Sequence, residues 1–251
     1  MSASAPVFAP AARSALGLAR RQAGLSLISL MVGMVISLIA VLGALALYRS
    51  TTQSLYGDGG LVRNSIQDGQ LATGLLSAQI ALQGAGYGIT GPSSGSHLLL
   101  ISSAVLNTST GRLDGSAVNL SSAAQSGNAI VWVQNPNLSA NSSAYTCSAL
   151  LSDSGSKAFY LLQSSSGCHP LASNWKTISW TSRALVEGQV MSQAVALSAR
   201  NASNCWPFGA VPETISKLTA PAASVSVTLN YSSSVSGSSN TYTSCLANLI
   251  S

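Results

Sequence analysis

The sequence predicts an α+β chain: one long N-terminal transmembrane helix followed by a mainly antiparallel, β-rich domain. Three observations predict it. Leu25–Leu47 is a run of 23 residues without a charge. Behind it, Leu61, Val62, Ile66, Leu71, Leu75, Leu76 and Ile80 recur at helical intervals. From there to the C terminus, short apolar or alternating runs are separated by Ser, Gly and Asn.

The apolar run comes first. As a helix it is about 35 Å long, enough for a hydrocarbon core of about 30 Å. Arg13, Arg20 and Arg21 precede it and Arg49 follows it. The stronger basic flank is N-terminal, so the positive-inside rule puts the N terminus in the cytoplasm and the remaining chain outside. A cleaved secretory signal, with Ala44-Leu45-Ala46 as its cleavage site, is one reading of the segment. The run is longer than the usual apolar core of such signals, about 7–15 residues. A plain signal anchor is a second reading.

The helix is expected to continue over residues 48–88, with an interruption near Gly57–Gly60 and an end at Gly84-Ala85-Gly86-Tyr87-Gly88. Strands are expected at Leu98–Ile101, Ile130–Val133, Phe159–Leu162 and Ile178–Trp180. Ala184–Leu197 suits either a strand or a helix. Val225, Val227 and Leu229 alternate with Ser226 and Thr228, the pattern of a half-buried strand. Thr241–Leu249 reads as a final strand, and Ser-rich tracts such as Ser232–Ser239 read as flexible loops.

Composition narrows the function. Only 7% of the residues are charged, against about 25% in ordinary soluble domains, so the polar surface must come from Ser, Thr, Asn, Gln and Gly. The net charge of +5 owes much to the N-terminal tail: without Arg13, Arg20 and Arg21, eight basic residues face six acidic ones. The basic pI therefore does not by itself argue for nucleic acid. Six acids and two histidines leave little material for catalysis. There is no nucleophile elbow and no phosphate loop. His97 and His169 read as surface or loop residues, no cofactor is expected, and the chain reads as a non-enzyme.

Cys147, Cys168, Cys205 and Cys245 make an even count in an exported chain, which points to two disulfides. The pairing expected from chain order is Cys147–Cys168 and Cys205–Cys245, each closing its own loop; two other connectivities stay open. Cys168-His169 with the other cysteines could be a zinc set, but spacing and compartment favour disulfides, and no metal site is assigned. Trp175-Lys176 to Trp180–Arg183 interleaves aromatic and basic residues. Such a segment can bind a nucleic acid strand; the competing reading buries the indoles in the core.

The boundary Arg20-Arg21-Gln22-Ala23-Gly24-Leu25-Ser26-Leu27-Ile28 resembles the type IV prepilin signature. The resemblance implies a leader 1–24, cleavage between Gly24 and Leu25 by a prepilin peptidase, and N-methylation of Leu25. The helix 25–47 then remains as inner-membrane anchor and filament core. Ser29 departs from the pattern, which has glutamate five residues after the cut. Two further segments, Leu76–Gly88 and Leu185-Val186-Glu187-Gly188, are similar to PilW-like minor pilins. That family has a long N-terminal helix packed on an antiparallel sheet, here with residues 89–251 as an extracytoplasmic, periplasmic domain. The implied function is a minor pilin of a type IV pilus, at or near the filament tip, with other pilin subunits as partners. The alternatives are a pseudopilin of type II secretion and a pilus-associated module binding DNA or a surface.

Overall fold

The computed structural model describes residues 27–57, 60–164, 167–207, 222–232 and 239–250. The chain divides into two compact units, residues 1–51 and 52–251. Helix α1 runs over Leu27–Tyr56, and none of its thirty residues is buried. Two of its hydroxyls bond within the helix: Ser37 Oγ donates to the Gly33 carbonyl (2.8 Å) and Thr51 Oγ1 to that of Leu47 (2.9 Å). Such back-bonding lets a hydroxyl sit in an apolar stretch without a water partner.

Helix α2, Leu61–Leu82, begins after the expected break, with Gly60 in an extended conformation at its N-cap. Its inner face consists of Gln67, Leu71, Gly74, Leu75, Ala78 and Leu82, one stripe at helical spacing. Buried Gln67 donates to the Tyr231 hydroxyl, which also bonds Ser192 Oγ at 3.0 Å. The helix ends where the glycine run begins.

Ten strands follow among the described residues: β1 (Leu98–Asn107), β2 (Arg112–Val118), β3 (Gln125–Gly127), β4 (Ala129–Gln134), β5 (Thr146–Ser152), β6 (Phe159–Gln163), β7 (Thr181–Val186), β8 (Ala196–Asn201), β9 (Val225–Ser232) and β10 (Ser239–Cys245). A four-residue helix, α3 (Leu171–Asn174), lies between β6 and β7. The strands form two antiparallel sheets, not one. The larger has the order β2-β1-β4-β5-β6-β7 and the smaller β10-β9-β8-β3.

The inner strands of the larger sheet are buried on both faces. Leu98, Leu100, Ile130, Trp132, Leu150, Phe159 and Leu161 face a core shared with α2 and with Leu197, Val227 and Leu229 of the smaller sheet. Their neighbours Leu99, Ile101, Val131, Val133, Ala149, Leu151 and Leu162 face the opposite way, onto a second core. That outer core is closed by the segment from Cys168 to Trp180, through Leu171, Trp175 and Trp180.

Three expectations need correction. Ile178–Trp180 is not a strand; the strand starts at Thr181. Trp180 instead donates its backbone N–H to Gly111 (2.7 Å) and its indole N–H to the Trp175 carbonyl (3.2 Å), folding the segment over the sheet. The last strand is displaced toward the N terminus, and the chain turns after Cys245 so that Leu246 and Leu249 reach the inner core. The ambiguous Ala184–Leu197 divides: β7 ends at Val186, a 3-10 turn covers Gly188–Val190, and β8 begins at Ala196. Strands β2, β3 and β5 were not anticipated. Of the Ser-rich tract, Ser232 and Ser239 pair as strand ends; residues 233–238 lie outside the described residues.

Gly74 shows why a poor helix former stands inside α2. A β-carbon there would lie 2.7 Å from the Leu185 carbonyl oxygen of β7. A β-carbon at exposed Gly69 meets nothing within 4 Å. Gly74→Ala should therefore destabilise the protein by about 1–3 kcal/mol despite better helix propensity. Gly69→Ala should stabilise it by up to about 1 kcal/mol. Chemical denaturation of the two variants in detergent checks the opposite signs.

Candidate functional site

The N-terminal segment is the first candidate. From Leu27 to Tyr48, α1 carries no charged residue and presents Leu, Ile, Val and Met on every side. At thirty residues it is about 45 Å long. Its length and composition suit a membrane span, and none of its residues is buried. A helix apolar all round needs lipid or other apolar helices around it. Ser29 stands in its first turn. Gly24 and Leu25, the expected cleavage and methylation positions, lie outside the described residues, as do Arg13, Arg20 and Arg21.

Two disulfides tie the second unit. Cys147 of β5 is joined to Cys168, with Cα atoms 6.0 Å apart. This bond fastens the covering segment to the outer face of the larger sheet. Cys205 is joined to Cys245 at the end of β10, with Cα atoms 5.5 Å apart. Loops of 21 and 40 residues correspond to about 3–4 kcal/mol each in the chain-entropy account. Cys168 is thus not free to ligate a metal beside His169. Among the described residues no three His, Cys, Asp or Glu side chains gather as a metal site.

The aromatic-basic segment does not present its aromatics. Trp175 and Trp180 are 4% exposed, so neither indole can stack on a nucleic acid strand. Lys176 lies over the Trp175 ring, 5.0 Å from its centroid, and pairs with Asp114 at 2.9 Å. Both partners of that ion pair are well exposed, so it contributes little. It holds the Asp114 carboxyl below its ordinary range, first through the hydrogen bond from Lys176.

The two histidines are brought together, which chain order did not suggest. Their rings stack with centroids 5.5 Å apart and planes inclined by 16°, and Tyr145 approaches His169 at 5.5 Å. Ser93 donates its backbone N–H to His97 Nδ1 (3.2 Å). In parallel stacked imidazoles the in-plane lone pairs do not converge, so the pair is poorly shaped to chelate a metal between them. Burial, and then the charge of His169, lower the His97 pKa below 6.5.

That shift has a sign. A base whose folded pKa is depressed contributes stability that is present above its unfolded value and lost as pH falls through it. Thermal stability should therefore decline as pH is lowered from 7 to 5, and His97→Gln should flatten the decline. The Asp153 carboxyl, held low first by Ser156 Oγ (2.6 Å), matters only at more acid pH. Melting curves at stepped pH check this, and an unchanged slope in the variant counts against it.

Residues 19–45 match the family described as the prokaryotic N-terminal methylation motif. Among curated proteins and among solved structures none matches the chain. The matched segment covers the basic flank, the Gly24-Leu25 boundary and most of the apolar run. The match supports a type IV pilin-like protein whose N-terminal helix anchors it in a membrane, and implies in general the processing and co-assembly that go with that motif.

Proposed function

We propose that this protein is a minor pilin: a low-copy structural subunit that assists assembly of a type IV pilus. The methylation motif over residues 19–45 carries the reading. In it, residues 1–24 are a leader, 25–47 the membrane and filament-core helix, 48–88 its continuation, and 89–251 a periplasmic domain later carried on the pilus. A prepilin peptidase cuts between Gly24 and Leu25 and methylates Leu25; the partners are other pilin subunits. The segments Leu76–Gly88 and Leu185–Gly188 favour a PilW-like member. A type II secretion pseudopilin shares all of these features and is the second reading. The buried indoles of Trp175 and Trp180 speak against a DNA-binding role for that segment.

Mass spectrometry of the mature protein tests the processing. We expect a chain that starts at N-methylated Leu25. Gly24→Phe should accumulate as full-length precursor in the membrane; normal processing of that variant would sink the assignment.

Ser29 bears on position in the filament. A carboxylate there needs a partner amine from the subunit ahead, and unpaired in an apolar medium it is costly. Serine removes the cost for a subunit that has no neighbour ahead. The tip assignment therefore expects labelled protein at filament ends, a few copies per filament. It also expects Ser29→Glu to spread along the shaft. Wild-type label distributed evenly along the shaft contradicts it.

A further inference from the structure

Each of the two sheets has two edges, and three of the four edges are blunted. Strand β2 carries Arg112 and Asp114, and its pairing with β1 shifts register between Ser102 and Val105. Strand β7 carries Arg183, and its pairing with β6 also shifts register. Strand β3 is three residues long. Charge, irregular register and shortness are the devices that keep a sheet edge from accepting another strand.

Strand β10 has none of them. Ser239-Asn240-Thr241-Tyr242-Thr243-Ser244-Cys245 holds no charge and no proline, and it pairs with β9 in unbroken register over all seven positions. The phase of the strand is fixed at its end. The Cys245 carbonyl turns away from β9 and accepts from Gln83 Nε2 (3.2 Å). The next residue, Leu246, turns its N–H back onto Val225 (3.1 Å). Antiparallel residues alternate in this respect, so Thr241 and Thr243 point both backbone groups outward, where no described group bonds to them.

The edge opens onto a groove. Leu76 and Ile80 of α2, Gln83 just after it, Trp206, and Thr243 and Ser244 of β10 line a cavity of about 420 Å³. Thr243 and Ser244 project to opposite faces of the sheet, so a cavity that touches both faces the edge itself. Leu76 and Ile80 are 57% and 66% exposed. No residue that lines the cavity carries a formal charge.

We propose that β10 accepts an extended, uncharged segment of a partner protein as an added strand. Its main chain bonds the outward groups of Thr241 and Thr243, and its alternate apolar side chains lie on Leu76 and Ile80. The unpaired backbone specifies a strand, the bare helix face specifies apolar side chains, and the lack of counter-charge excludes a charged one. The inference rests on residues 61–245 and holds whether or not the N-terminal segment is processed.

The probe is a capped synthetic peptide, Val-Ser-Val-Thr-Leu-Asn-Tyr, which copies the strand that β10 already pairs with. It is titrated onto the full-length protein in detergent and followed by hydrogen exchange. Binding should slow exchange at the Thr241 and Thr243 amides. Thr243→Pro, which removes the outward N–H along with the hydroxyl bond to Thr228, should weaken the peptide about tenfold or more. Ile80→Lys, on an exposed helix face, should weaken it comparably and serves where the proline variant does not fold. Absence of binding, or binding indifferent to Ile80→Lys, overturns the proposal. So does protection of both amides in the peptide-free monomer, which means that the chain covers its own edge. Protection that grows with protein concentration and accompanies dimers overturns it in favour of self-pairing.

Discussion

Strands β1, β4 and β5 carry apolar side chains on both faces, and a sheet of that kind needs two covers. Antiparallel sheets commonly leave one face to water; this one cannot. On one side the cover is α2 together with the smaller sheet, built around Leu71, Leu75, Val227 and Leu229. On the other it is a length of chain with little regular structure, anchored by Leu171, Trp175 and Trp180. A cover without its own hydrogen-bonded ladder needs a fastening, and the Cys147–Cys168 bond supplies one in the middle of the sheet.

The scarcity of charge shapes how the loops are held. Primary amides do the work that ion pairs do elsewhere. Asn128 accepts from the Ala104 N–H (2.6 Å) and donates to the Ala104 and Ser152 carbonyls. Asn135 binds Gly88 and both backbone groups of Ser139. Asn248 donates to the Gln83 and Ala85 carbonyls and so joins the C terminus to the end of α2. A neutral amide donates and accepts at once and costs far less to bury than a charge. A protein stabilised in this way loses little when salt changes.

Helix α1 follows the opposite rule. No residue of it is buried, and the Ser37 and Thr51 hydroxyls bond carbonyls one turn earlier. It meets by itself the requirement of a hydrocarbon environment, that every backbone polar group be bonded internally.

The sequence by itself determined the elements whose signal is local. The charge-free run predicts α1, Gly57–Gly60 predicts the break, the run from Gly84 predicts the end of α2, and the alternation of Val225, Val227 and Leu229 predicts β9. Each depends on a chain stretch that has one environment or a regular alternation between two. Tertiary structure decided the rest. Two-sided burial erases the period of two in β4 and β5, so strand periodicity could not reveal which face served which core. Strand β10 is written mainly in Ser, Thr and Asn, and β2 in Arg-Leu-Asp-Gly-Ser-Ala-Val without a regular alternation, so the strand character of both comes from the neighbour they pair with. The stacking of His97 on His169, the burial of Trp175 and Trp180, and the division into two sheets all join residues far apart in the chain. Only packing brings such residues together, because no local preference encodes a contact across seventy positions.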